Sequence, residues 1–326
     1  MKFSLNSHYK AVFQALFVTF LWSTSWVLIK IGLEEIPALT FAGLRYALAF
    51  LILLPLAFHR GELQKIPSLS RSDWAWLALL GLILYTITQG AQFLALNLLP
   101  AVTISLLLNF TSLIVAIMGI FLLAEWPTRR QWLGTAIFIT GVLLYFYQDL
   151  TAGAGGYSAA ELLGLLIAAV CVIANAASST LGRFVNRSHH LSPLLITTVS
   201  MGIGAFLLLA TGLVTQGLPA LSGQSWLIIL WLATVNTAFA FTLWNQTLRT
   251  LSAMESSIIN NTMLIQIAVL AWVFLDESLS ALEIGGLLLA AGGILLVQLR
   301  TKGRSKRQPA PFADEKTTTV PQSEKV

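Results

Sequence analysis

The amino-acid sequence predicts an all-α polytopic membrane protein, with ten transmembrane helices arranged as two inverted five-helix repeats. Composition, recurring apolar runs and self-similarity carry that expectation. Of the 326 residues, 56% are hydrophobic and only 10% charged, against roughly 25% charged in ordinary soluble domains. The mean hydropathy is +0.79. Apolar runs of about 20 residues, enough to cross ~30 Å of hydrocarbon at ~1.5 Å per residue, recur from end to end. Sliding the chain along itself by 152 residues places Trp74 on Trp226, Leu99 on Leu251, Ser105 on Ser257, Asn109 on Asn261, Glu125 on Glu277, Gly134 on Gly286 and Gly141 on Gly293. Self-similarity at one offset marks a duplicated unit.

Taken in order, the runs place helices at 11–31, 38–58, 74–96, 100–123 and 130–148, then at 159–182, 193–214, 225–246, 252–275 and 282–300. Residues 1–10 are expected as a cytoplasmic tail, 11–150 and 157–300 as the two repeats, and 301–326 as a second cytoplasmic tail. That last segment is polar, charged and interrupted by Pro309, Pro311 and Pro321, so it has too little apolar area to fold. The first run is too long for a signal peptide and no small-residue cleavage site follows it, which makes it a retained helix. Trp74, Trp76, Trp132 and Trp226 stand at helix ends, the position of an interfacial aromatic belt. Ser158 to Glu161, Ser252 to Glu255, Ser280 to Glu283 and Thr128 to Gln131 have capping-box spacing. Glu125 and Glu277 precede the caps of helices five and ten by three residues and are expected to anchor neighbouring helix ends. Glu255 is also the candidate acid for a proton-coupled carrier, so a proton site remains a second reading of it.

Charge placement gives the orientation. If the N-terminus is cytoplasmic, every Lys and Arg except Lys30 and Arg45 falls on the inner side, 17 of 19, while the outer loops carry Glu34, Glu35, Asp149, Asp276 and Glu277. This asymmetry follows the positive-inside rule. The pI near 9.5 therefore reports cytoplasmic anchoring beside a lipid bilayer and no nucleic-acid surface. Lys30 and Arg45 either reach the outer headgroups, pair with Glu34 or Glu35, or serve function, the default for an intramembrane ionisable group.

Because five is odd, the second repeat crosses the bilayer in the opposite sense to the first. Inverted repeats characterise secondary transporters, with the solute site near the midplane between the halves. Asn109 and Asn261 both fall near that plane, where each either bonds a neighbouring helix or lines a polar cavity. Ser105, Asn109 and Ser112 share one face of helix four, and Tyr85, Gln89 and Gln92 one face of helix three. Asn236 lies at mid-depth on helix eight. The segment WSTSW puts Trp22, Ser25 and Trp26 at mid-depth, where the tryptophans either pack or form a stacking wall for an aromatic, apolar or cationic ligand. The expected substrate-binding residues are thus Trp22, Ser25, Trp26, Tyr85, Gln89, Asn109, Asn236 and Asn261, with Arg45 a candidate for a substrate carboxylate approached from the outer side.

Other chemistries find no support. The chain has no G-x-x-x-x-G-K-[ST] loop, and His8, His59, His189 and His190 lie in the tail or inner loops without metal-ligand spacing. Cys171 stands alone in an apolar run and is expected to pack. No cofactor, metal or catalytic group is called for. A flippase for lipid-linked groups and a non-transporting enzyme or scaffold remain alternatives, and oligomeric state is open.

W-S-T-S-W with Lys30, Leu44-Arg45-Tyr46, Ala124-Glu125 and Asp276-Glu277, and the glycine-bearing fifth and tenth helices together resemble the EamA family of the drug/metabolite transporter superfamily. The resemblance covers about residues 11–300. It implies a ten-helix carrier with a cavity lined by helices one, three, four, six, eight and nine, moving small metabolites such as amino acids, or amphipathic drugs, usually outward. Family members often carry a proline in helices four and nine where this chain has Thr111 and Met263, so the kink that proline would cause is not implied here. Nor is proton exchange through a first-helix glutamate, because the first helix has no acid.

Overall fold

Ten helical rods follow one another through the described residues, which are 2–111, 113–115, 128–148, 158–187, 191–247, 250–251 and 253–298 of a computed structural model. They are α1 (Lys2–Gly32), α2 (Ala38–His59), α3 (Arg71–Leu98), α4 (Ala101–Leu108), α5 (Arg129–Tyr145), α6 (Ala159–Arg187), α7 (Pro193–Thr215), α8 (223–247), α9 (Ala253–Phe274) and α10 (Ala281–Gln298). By length and composition, five of the described helices are apolar enough to cross a membrane, and shorter apolar helices cover Ala101–Val115, Ile259–Phe274 and Ala281–Val297. α1 starts eight or nine residues ahead of the apolar run because Lys2 to Lys10 contain neither Gly nor Pro to stop it. Capping boxes start α3 at Ser70 and Asp73 and α5 at Thr128 and Gln131. Ser158 with Glu161 and Ser280 with Glu283 make the same reciprocal bonds. The side chain of Glu255 lies outside the described residues, as do Ser112, Glu125 and the 301–326 tail.

The duplication is visible in the backbone. α3 widens to a π-helix over Leu82–Thr88 and α8 over Thr234–Phe239, which are equivalent positions at the 152-residue offset. A π segment leaves carbonyls without their usual partner. Each is compensated by a threonine: Thr88 Oγ1 donates to Ile83 O and Thr237 Oγ1 to Leu232 O, both at 2.8 Å and both five residues back. Tyr85 is buried while Gln89 and Gln92 are half-buried.

Two glycine seams show how the repeats meet. A Cβ on Gly134 would lie 2.8 Å from Gly293 O, and one on Gly141 2.6 Å from Gly286 O. As numbering rises along α5 it falls along α10, so these equivalent helices run antiparallel. α2 and α7 are related likewise: a Cβ on Gly43 would sit 2.5 Å from Leu209 Cα, and one on Gly212 2.5 Å from Thr40 N. Small residues at such seams let backbones touch and gain dispersion energy where lipid removes the hydrophobic drive between helices. The remaining contacts follow the same two-fold pattern, with α1 packed on α8 and α9 and α6 packed on α3 and α4. The main core draws on both repeats, from Phe41, Phe93 and Phe138 to Leu264 and Ile294.

Gly141→Ala and Gly293→Ala are each expected to destabilise the protein by about 1–3 kcal/mol through overpacking, read as a lower melting temperature in detergent. Gly292→Ala, whose Cβ meets nothing within 4 Å, should leave it unchanged.

Candidate functional site

At the end of the bundle carrying the α1–α2 loop, charged side chains satisfy backbone groups at a helix break. Only Leu99 and Pro100 separate α3 from α4, leaving the last carbonyls of one helix and the first amides of the next without partners. Lys30 Nζ donates to Leu96 O at 2.7 Å and Leu99 O at 2.8 Å. The Glu277 carboxylate accepts from Ala101 N at 2.9 Å and Val102 N at 3.3 Å. A cation thus meets the negative end of α3 and an anion the positive end of α4. Asp276, in the left-handed region at φ +53°, turns the chain at the end of α9 and delivers Glu277 to this position. Glu277 is therefore the helix-end anchor that its spacing predicts. Lys30 neither reaches out to headgroups nor pairs with Glu34 or Glu35, because unmet carbonyls lie closer.

Glu35 makes a second tie between the repeats. Its Oε2 accepts from Ser225 Oγ at 2.6 Å and Ser222 Oγ at 2.7 Å, at the N-terminus of α8. These bonds hold its carboxyl below the ordinary range, Ser225 contributing most and Ser222 next. At the opposite end Glu62 meets Ser192 and Lys65; burial works against its charge, and the bonds outweigh burial so that its carboxyl is also held low.

Halfway along the bundle, α1 is bound to the second repeat by polar contacts. Trp22 Nε1 donates to the main-chain carbonyl of Asn236 at 3.1 Å, inside the α8 π segment, and its ring packs 5.2 Å from Phe241 and from Trp244. Asn236 is fully buried, and its Nδ2 donates to Leu21 O and to Thr24 Oγ1. Ser25 Oγ turns back to Trp22 O, and Trp26 is buried in the main core. Ser23 Oγ meets Gln266 Oε1 at 2.9 Å, and Gln266 Nε2 reaches Thr262 Oγ1 at 3.0 Å and Thr19 Oγ1 at 3.4 Å. Sequence reading missed Gln266. The i, i+4 spacings of Thr19 with Ser23 and of Thr262 with Gln266, which give each helix one polar stripe, were the available signal.

Arg45 sits apart from that network. It is 5% exposed, donates from Nε to Thr237 Oγ1 at 3.2 Å, and its Cζ lies 5.2 Å from the Tyr46 ring. Tyr46 in turn lies 5.5 Å from Tyr85. Arg45 therefore lies in the protein, away from headgroups, and Glu34 and Glu35 are not its partners; Glu35 is taken by α8 serines.

Asn109 answers for the irregularity of α4. Its Nδ2 takes Ser105 O at 2.7 Å, the carbonyl its own backbone N–H would use in an α-helix, and that N–H moves to Leu106 O at 3.1 Å. The side chain competes with the helix and interrupts it without a proline. Asn261 lies half-buried on a continuous α9. Cys171 packs as expected, buried with Sγ directed to Thr88 O. Trp22, Asn236, Ser25 and Trp26 are thus brought together, Arg45 and Tyr85 form a second group joined through Tyr46, and Gln89, Asn109 and Asn261 lie on α3, α4 and α9. Among the described residues no group of three or more His, Cys, Asp or Glu is placed to hold a metal.

The EamA-like transporter family matches residues 9–147 and 162–299, one match in each repeat. The chain is similar to the uncharacterized transporter YvbV of Bacillus subtilis, at 26% identity with 88% of this chain and 91% of that one covered. It is 27% identical to a probable amino-acid metabolite efflux pump of Salmonella typhimurium, covering 87% and 93%. It is 26% identical to an S-adenosylmethionine/S-adenosylhomocysteine transporter of Chlamydia trachomatis, covering 88% and 87%. A solved crystal structure shares the fold, with a TM-score of 0.61 at 17% identity over 88% of this chain and 97% of that one.

Glu277→Ala should cost about 1 kcal/mol, the scale of a lost helix cap, with Glu277→Gln retaining part; thermal unfolding in detergent reads both. Glu35 has a lowered pKa in the folded protein, so its ties stabilise above the ordinary carboxylate pKa of about 4.3 and are lost as pH falls through the lowered value. The melting temperature of Glu35→Gln should accordingly lie slightly below wild type at neutral pH and converge with it in acid.

Proposed function

The chain belongs to the EamA-like transporter family, and from that premise we propose that it exports small neutral, zwitterionic or amphipathic metabolites, amino acids among them, by alternating access. It sits in the cell membrane as a multi-pass protein with both termini cytoplasmic. The observation that carries the reading is the antiparallel pairing of α5 with α10 and of α2 with α7, which leaves α1, α3, α4, α6, α8 and α9 to enclose a central solute path. Inverted repeats of this kind place the site near the midplane and expose it to either side by rocking one half against the other.

Trp22, Ser25, Trp26, Tyr85, Gln89, Asn109, Asn236 and Asn261 line that path. They supply amides, hydroxyls and aromatic faces with few charges, which suits a neutral or zwitterionic solute better than a polyanion. Names of two relatives, one for amino-acid metabolites and one for S-adenosylmethionine, support a solute with an amino-acid portion. The ties of Glu277 and Glu35 between the repeats both lie at the outer end, where opening requires them to part.

The test is efflux of a labelled panel of amino acids, nucleosides and cationic dyes from proteoliposomes, with and without a pH gradient. Wild-type protein should move at least one amino acid, and Asn109→Leu combined with Asn261→Leu should insert normally yet lose most of that flux. Unaltered flux in the double variant would remove the amides from the path. Flux indifferent to the gradient would remove Glu255 from any coupling role.

A further inference from the structure

We infer that Arg45 holds the carboxylate of the solute and makes the site select molecules bearing one carboxylate over analogues that lack it. The inference rests on the transport reading above and names the solute class of that site. A guanidinium carries five N–H donors and keeps its charge in any protein setting. Arg45 is 5% exposed, yet only its Nε has a partner, Thr237 Oγ1 at 3.2 Å. Among the described residues no carboxylate lies within 4.0 Å of it, and no further hydrogen-bond acceptor meets its two Nη groups. Nor are those groups sealed away. The fully enclosed side-chain polar atoms left without partners among the described residues are Thr198 Oγ1 and Asn236 Oδ1, and no nitrogen of Arg45 is among them.

A buried cation normally comes with a counter-ion from the protein, because removing charge from water is costly unless paired. Here the protein supplies orientation without neutralisation. The Thr237 hydroxyl gives its proton to Leu232 O at 2.8 Å, which leaves a lone pair for Arg45 Nε, and Arg45 Cζ lies over the Tyr46 ring, 5.2 Å from its centroid. Fixed at Nε and flanked by an aromatic ring, the fork presents its Nη edge in the geometry that accepts both oxygens of a carboxylate. The charge count favours a carboxylate over a phosphate dianion: the other intramembrane cation, Lys30, already donates to Leu96 O and Leu99 O. One residue from Thr237, the unpaired Asn236 Oδ1 marks the same π segment as incompletely satisfied.

Binding of amino acids and their amino-alcohol analogues, such as phenylalanine with phenylalaninol and methionine with methioninol, tests this in nanodiscs by ligand-induced thermal shift. Wild type should prefer the amino acid by about tenfold or more, the scale of hydrogen bonds to a charged group. Arg45→Gln should abolish the preference, and Arg45→Lys, which keeps the charge without the fork, should restore part of it. Thr237→Val leaves Arg45 in place without its anchor and should reduce the preference several-fold, so a failure of Arg45→Gln to fold does not remove the test. A preference that survives in Arg45→Gln or is unmoved in Thr237→Val would overturn the inference, as would a wild type that binds both members equally or neither. Flux is measured separately. Selective binding without flux would defeat the transport reading and spare Arg45, whereas flux indifferent to the carboxylate would defeat Arg45 alone.

Discussion

Hydrocarbon offers no water to a polar group, so each backbone or side-chain donor and acceptor within the bundle must be met by the protein itself. The irregular features of this chain follow from that demand. Where α3 gives way to α4, Lys30 takes the orphan carbonyls and Glu277 the orphan amides. Where α3 and α8 widen into π turns, Thr88 and Thr237 reach back to carbonyls there. Trp22 takes another carbonyl from the α8 π segment, and Asn109 breaks α4 by occupying Ser105 O. Against such thorough satisfaction, the unmet Nη groups of Arg45 stand out.

Duplication sets where these devices fall. The seams of α5 with α10 and α2 with α7 are backbone against backbone, with glycines that leave no room for a methyl group. The ties at the α1–α2 end are of another kind: side chains of Glu35, Glu277 and Gln216 reaching backbone or hydroxyl groups of the opposite repeat. Hydrogen bonds at a loop can be exchanged for water at little net cost, whereas a dry glycine seam has no such substitute. In the proposed cycle the seams therefore hold while the loop ties part, which gives alternating access a structural division of labour.

Much of this was legible in the sequence because it rests on periodic or duplicated signals. Helix positions followed from apolar runs, the repeat from matched residues such as Gly134 and Gly286, and the Glu277 anchor from its distance to the following cap. Four features were hidden. A π turn has no composition of its own, so the widened segments of α3 and α8 carry no signal in the sequence. Lys30 is expected at the headgroups, on a loop acid or in a functional role, and its acceptors are instead backbone carbonyls 66 and 69 residues away, a pairing that spacing does not show. Asn109 was expected to bond another helix or line a cavity, yet the bond seen is local; a side-chain bond to the preceding turn leaves no mark beyond the residue type itself. Gln266 went unnoticed since its partners, Ser23 and Thr19, sit on a helix far away in sequence.

The antiparallel arrangement of the repeats is tested most directly by side-specific labelling of single cysteines, introduced into a Cys171→Ala background, with a membrane-impermeant maleimide. Glu35→Cys and Ser222→Cys should be modified from one side of the bilayer, and Glu62→Cys and Ser192→Cys from the other. Modification of Glu35→Cys and Ser192→Cys from the same side would mean that the α1–α2 and α6–α7 loops, which correspond in the two repeats, share a face. The repeats would then be parallel, contradicting the account.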